Sequence, residues 1–241
     1  MTLSGSVAVV TGAGSGIGRA IALALVREKA SVALLGRTAG KLETVARDAG
    51  GDPETVACFQ IDLAQDEMVR TLPKVLEERF GRVDILVHCA AVFHMGNIET
   101  APIAEFDQAY RTNTRAPLIL TQALLPLVKR AKGQVVFVNS SAGLAAGAGW
   151  GGYSASKAAL KMVADSLRAE INVHGVRVLS VYPGRTAGVM QAAIHRLEGK
   201  PYVAERLIQP EDIAAVVVNA LMLPRTAEVT DLMIRPMAKP S

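Results

Sequence analysis

The sequence predicts an α/β fold: a doubly wound parallel sheet of about seven strands with helices on both faces, a single domain over residues 1–241. Three observations carry that prediction. Short apolar, β-branched runs alternate with longer amphipathic runs from one end to the other. The short runs are apolar almost throughout instead of at every second position, as strands covered on both faces require. The first short run passes into the first long one through glycines at alternate positions, Gly12, Gly14, Gly16 and Gly18.

Taken in order, the elements are these. SVAVV (6–10) reads as a strand and GRAIALALVREK (18–29) as a helix. SVALLG (31–36) is a strand, and GKLETVARDAG (40–50) a helix ended by glycine. TVACFQID (55–62) is a strand, followed by a helix near 65–80. VDILVHCA (83–90) is the next strand, and a helical stretch covers 103–131, with Pro117 and Pro126 expected to interrupt it. GQVVFVNSS (133–141) is a strand, 152–173 a helix, and VRVLSVYPG (176–184) a strand. PEDIAAVVVNALML (210–223) is a helix opened by Pro210, and VTDLMI (229–234) closes the chain as a strand. The segment 184–209 is the least patterned. It follows a strand's C-terminal end, where open α/β sheets bind ligands, and reads as a substrate loop.

Composition narrows the function classes. The net charge is +4, and the Lys and Arg residues are scattered, so no basic stripe for a nucleic acid exists. Aromatic residues are 4% of the chain, too few for a base-stacking platform. Cys58 and Cys89 lack zinc-type spacing, and no metal site is expected. No apolar run reaches membrane-spanning length, and the N-terminus does not read as a signal or transit peptide. The expectation is a cytoplasmic protein without a membrane partner.

The glycine stretch lies between the first strand and the first helix. A helix N-terminus offers unpaired N–H groups and a positive dipole end, and glycines let an anion approach them. The pattern Thr11-Gly12-Ala13-Gly14-Ser15-Gly16-Ile17-Gly18 resembles the T-G-x-x-x-G-x-G motif of the short-chain dehydrogenase/reductase family. That resemblance implies a Rossmann-type domain binding NAD(H) or NADP(H), with Gly12, Ser15, Gly16, Ile17 and Gly18 at the cofactor. At the second strand's end stands Arg37, where an acidic residue would bond both ribose hydroxyls. A guanidinium there suits a 2′-phosphate, so NADP(H) is expected over NAD(H). Ser15 weighs slightly the other way, because NADP-preferring relatives often carry a basic residue in the glycine turn. Asp62-Leu63 follows the third strand, and the resemblance places an Asp there on the adenine amino group.

Tyr153 and Lys157 stand four apart in YSASK, on one face of a predicted helix. A cation beside a phenol is expected to lower its pKa and to make it a usable proton donor and acceptor. Alone, such a pair is common and carries nothing. Ser140, thirteen residues upstream at a strand end, could polarise a substrate carbonyl. The family shows a similar Ser-bearing stretch followed by Y-x-x-x-K, and Asn113 in YRTNTRAP matches its helix-bending Asn. The resemblance covers essentially the whole chain. It implies a catalytic set of Asn113, Ser140, Tyr153 and Lys157 that transfers a hydride between NAD(P)(H) and a small-molecule carbonyl or secondary alcohol.

Two stretches depart from the family pattern. His88-Cys89-Ala90-Ala91 stands where Asn-Asn-Ala-Gly is usual, with Ala90 shared; His88 reads as a core histidine. Pro183-Gly184 matches the turn flanking the nicotinamide, but Gly188 stands where relatives often have Thr, leaving Thr186 as the candidate. Val92, Phe93, Met95, Trp150, Val189 and Met190 read either as an apolar substrate wall or as ordinary packing. By analogy with the family, a homodimer or homotetramer is expected. The competing readings are a non-catalytic dinucleotide-binding redox sensor and a lyase or epimerase on the same scaffold. The intact four-residue set speaks against the first, and the short 184–209 segment against the second.

Overall fold

The computed structural model describes residues 2–238. Seven strands form one parallel sheet: β1 (Val7–Thr11), β2 (Ser31–Gly36), β3 (Val56–Gln60), β4 (Ile85–His88), β5 (Gln134–Val138), β6 (Arg177–Pro183) and β7 (Asp231–Ile234). Their order is β3-β2-β1-β4-β5-β6-β7, so the winding reverses between β1 and β4. A crevice opens at such a reversal, beyond the strands' carboxyl ends. The central strands β1, β4 and β5 are buried at every position, which explains their unbroken apolar runs.

Helices cover both faces. On one, α1 (Gly16–Arg27) and α8 (Pro210–Leu221) pack Ile21, Leu25, Ile213 and Val217 against Val10, Val136 and Val181. On the other, α3 (Asp66–Phe80), α5 (Ala116–Arg130) and α6 (Gly151–Ile171) bury Leu76, Leu120, Leu124 and Leu160 against Val9, Leu86 and Phe137. Each fully buried side chain of this kind contributes about 1.5–3 kcal/mol. The helix α2 (Ala39–Asp48) flanks β2 and β3. Pro210 opens α8 as expected, and a reciprocal Gln209–Asp212 capping box fixes its start.

Two expectations are corrected. The prolines do not divide the 103–131 stretch. Pro126 lies inside α5 without ending it, and the break between α4 (Ile103–Tyr110) and α5 is a π-helical turn at Arg111–Arg115. The Ala116 N–H reaches back five residues to the Arg111 carbonyl. Segment 184–209 is also more ordered than its sequence suggests. It holds the helix α7 (Val189–Leu197) and a parallel bridge between Thr186 and Ile208. Gly188, at φ 147°, makes the turn into α7 and breaks the apolar pattern ahead of it.

Candidate active site

The glycine turn joins β1 to α1. Ser15 is the extended N-cap, its side chain makes no capping bond, and the first turn of α1 carries no acid. The N–H groups there are left facing the crevice, as an anion site requires. A Cβ on Gly12 would stand 2.9 Å from the Ala90 backbone, and one on Gly18 2.4 Å from the Gly12 carbonyl oxygen. The cradle therefore closes only with glycine at both positions, and it fits a dinucleotide pyrophosphate.

Thr11 holds the opposite wall. Its hydroxyl accepts the N–H groups of Cys89 (2.9 Å) and Ala90 (3.1 Å) and donates to the Val87 carbonyl (3.3 Å). This clamp runs through backbone, so the His88-Cys89-Ala90-Ala91 departure leaves it intact. Sequence reasoning quoted Thr11 only as part of a motif; a hydroxyl ending an apolar strand was its one local signal. His88 lies in the core as expected. Its Nε2 is 2.8 Å from the Thr121 hydroxyl, its ring stacks on Phe137, and burial lowers its pKa to about 3.

A cavity of about 830 Å³ follows the carboxyl edge of the sheet. At one end it is lined by Gly12, Ser15, Gly16, Ile17, Gly18, Arg37, Asp62 and Leu63. Ala90 stands midway, and the other end holds Ser140, Tyr153, Lys157, Pro183, Gly184 and Thr186. Arg37 is exposed, and its backbone carbonyl accepts the Gln60 amide (3.1 Å). Asp62 does not cap α3; Gln65 is the N-cap, and one Asp62 oxygen accepts the Ala64 N–H (3.0 Å). The Thr186 hydroxyl donates to the Gly184 carbonyl (3.1 Å).

The chemical groups converge at the second end. Tyr153 is buried, and burial pushes its phenol up, opposed by a hydrogen bond with the Ser140 hydroxyl. Ser140 Oγ accepts the Ala142 N–H (3.1 Å), which leaves its own proton free to be donated. Lys157 Nζ donates to the Val138 carbonyl (3.0 Å), and burial lowers it to about 8. This differs from the sequence expectation: the ammonium is turned to a strand-end carbonyl, and it is Ser140 that lowers the phenol against desolvation. Cys89 lines the same wall, its thiol pushed up to about 12 by burial and held neutral despite Lys157.

Asn113 alone among the expected site residues does not line the cavity; it lies fully buried behind it. Its Oδ1 accepts the Val92 N–H (2.8 Å), and its Nδ2 donates to the Val92 carbonyl (2.9 Å) and Ser156 Oγ (3.0 Å). It sits within the π turn, and Pro117 lacks the N–H that an α-helix would give to the Asn113 carbonyl. The missing donor leaves that carbonyl without its i+4 helical bond.

The fold and this cleft define a dinucleotide-binding α/β protein with a Ser–Tyr–Lys centre. Comparison with known proteins agrees. The short chain dehydrogenase family matches residues 6–198, and the chain belongs to that family. It is an oxidoreductase acting on CH–OH or C=O groups with a nicotinamide dinucleotide. An uncharacterized oxidoreductase of Staphylococcus aureus is 34% identical over 235 residues, 97% of this chain and 98% of that protein. Glycine betaine reductase ATRR of Emericella nidulans is 35% identical over 244 residues, 99% of this chain; the chain spans only 19% of that longer protein. Among solved structures, a metagenomic short-chain oxidoreductase in complex with NADP is 32% identical with a TM-score of 0.85, covering 99% of this chain and 100% of that one. The alcohol dehydrogenase of Thermococcus sibiricus complexed with 5-hydroxy-NADP is 28% identical with a TM-score of 0.88, covering 98% of each chain. Among the described residues no helix is long and apolar enough to cross a membrane.

Proposed function

We propose that this protein reduces a ketone or aldehyde, or oxidises the matching secondary alcohol, with NADP(H) preferred over NAD(H). One observation carries the reading: Ser140, Tyr153 and Lys157 gather at one end of a cleft whose other end is the glycine cradle and Arg37. Bound there, the nicotinamide supplies or accepts the hydride. Ser140 donates a hydrogen bond to the substrate oxygen, and Tyr153 transfers a proton to it. Lys157 adds a buried cation at this end, its ammonium held by the strand-end carbonyl, and the Asn113 carbonyl holds the water that would pass protons between the lysine and solvent. Gly12, Ser15, Gly16, Ile17 and Gly18 hold the pyrophosphate, Arg37 the 2′-phosphate, and Asp62 and Leu63 the adenine. Ala90, Pro183, Gly184 and Thr186 flank the nicotinamide. In this reading one domain carries both cofactor and substrate, 184–209 closes over the substrate, and the protein works as a cytoplasmic homodimer or homotetramer.

Support for NADP(H) comes from Arg37, exposed at the end of β2 and lining the cavity, and from the NADP-bound structural relatives. Burial raises the Tyr153 pKa, so the phenol keeps its proton at neutral pH and can serve there as the donor that reduction needs. Oxidation needs the phenolate and gains rate as pH climbs through the alkaline range, while reduction loses it. Ketone and alcohol panels with both dinucleotides, followed by the absorbance of the reduced cofactor across pH 6–10, test this, with about one decade of rate per pH unit expected on the rising limb. A flat oxidation profile, or NADH turned over faster than NADPH, contradicts it.

A further inference from the structure

We infer that the substrate end of this cleft takes a ring-bearing carbonyl compound, its ring seated against Phe93 and Trp150. The inference rests on the hydride-transfer reading above and narrows its substrate class. Aromatic residues are scarce in this chain, 4% of the total, yet three meet at this wall. The Phe93 ring centroid lies 5.0 Å from both Trp150 and Tyr153, in edge-to-face geometry, and Trp150 lies 6.3 Å from Tyr153. The wall therefore leads directly to the phenol that would hold the substrate oxygen. Met190 and Ile194 of α7 line the same cavity with aliphatic surface.

The wall is built rigidly. The Gly96 N–H donates to the Gly149 carbonyl (2.9 Å), tying the Phe93 loop to the start of α6. Met95 packs on Gly149, away from the cavity lining, and Ile98 fills the space that a Cβ on Gly151 would need, 2.4 Å away. Preorganised aromatic edges and faces favour a flat apolar group over a flexible polar one.

Arg185 lies 5.6 Å over the Trp150 ring and lines the cavity. Its Nη2 is 2.6 Å from Glu198 Oε1, with the two side chains 21% and 10% exposed, while its Nη1 is buried without a hydrogen-bond partner. The guanidinium holds the Glu198 carboxyl below its ordinary range, and Lys200 adds a cation 3.7 Å from its other oxygen. The cation over the Trp150 ring helps hold that ring in place.

The test compares acetophenone and butan-2-one as substrates of the 241-residue protein with NADPH and NADH. We expect kcat/KM for acetophenone to exceed that for butan-2-one by about 30-fold, the value of burying a ring against these walls. Phe93→Leu lowers the acetophenone to butan-2-one ratio about fivefold. Trp150 is the single tryptophan of the chain, so acetophenone binding is also read as saturable quenching of its fluorescence, independent of turnover. Butan-2-one matching acetophenone overturns the inference while leaving hydride transfer standing. Saturable quenching by acetophenone with no turnover of any ketone supports the ring site and overturns the hydride-transfer reading instead.

Discussion

The two ends of the cleft are made of different material. The core of the nucleotide end is backbone: glycines with no room for a Cβ and the open N–H groups of α1, braced by the Thr11 hydroxyl and flanked by the Arg37 and Asp62 side chains. The substrate end is side chains delivered by segments far apart in sequence, the 92–98 loop, the start of α6, and α7. A backbone cradle tolerates almost no substitution at its own glycines. A side-chain site can be retuned residue by residue without disturbing the sheet. The difference explains how one scaffold can keep its cofactor while changing its substrate.

The sharpest way to break this comparison is at the junction of the two ends. Tyr153→Phe removes the proton donor and leaves the ring packed on Phe93, so kcat falls by about 10³-fold. Dinucleotide affinity, measured by Trp150 fluorescence, changes less than about threefold, because the glycine cradle is untouched. Comparable turnover in the variant would mean that the phenol carries no chemistry. Next in size, Gly18→Ala drives a methyl into the Gly12 carbonyl, which is backbone and cannot rotate away. The KM for dinucleotide rises by about 100-fold and stability falls by about 1–3 kcal/mol, while the acetophenone to butan-2-one ratio holds. A changed ratio would show that the ends are not separable.

Legibility followed the same division. The strands were readable from their unbroken apolar runs, whereas the glycine turn and the Tyr–Lys pair, each ambiguous alone, became readable through the family motifs that their spacing matches. The cavity gathers all of the expected site residues except Asn113, whose place behind the wall depends on a π turn that a 3.6-residue pattern cannot announce. The prolines pointed to a break near the right place for a different reason, since Pro117 starts α5 and Pro126 does not disturb it. The helix α7 was missed because Gly188 precedes it and its outer face leaves Val189 and Leu197 to solvent, so its apolar pattern does not resemble a packed helix. The Lys157 partner was missed because the Val138 carbonyl, nineteen residues away, is brought to it only by tertiary packing. The Arg185–Glu198 pair was invisible for the same reason.

A smaller effect sharpens the nucleotide end. Arg37→Asp reverses the charge at the end of β2 and adds an acceptor for ribose hydroxyls. The ratio of kcat/KM for NADPH over NADH drops by about 100-fold, the loss of a charge-assisted bond together with repulsion of the phosphate. The ketone preference does not move. An unchanged cofactor ratio would remove Arg37 from the site.

The smallest effect concerns the strand that stands between the ends. His88, at the close of β4, is buried and neutral, its pKa lowered from 6.5 to about 3 by desolvation. In the unfolded chain it takes a proton near pH 6.5; in the folded chain it resists until about pH 3. Between those values the unfolded state binds more protons, so stability falls as pH falls through that window and is fully present above it. At pH 5.5 the loss from this one group is about 1.4 kcal/mol. His88→Asn, the residue usual in the family at this position, abolishes that share of the acid loss even though it lowers stability at pH 7.5 by giving up the stack on Phe137. Urea unfolding of both proteins at pH 7.5 and 5.5 measures it. Equal losses in the two would mean that His88 is solvated in the folded state and that β4 is looser between the two ends than its packing implies.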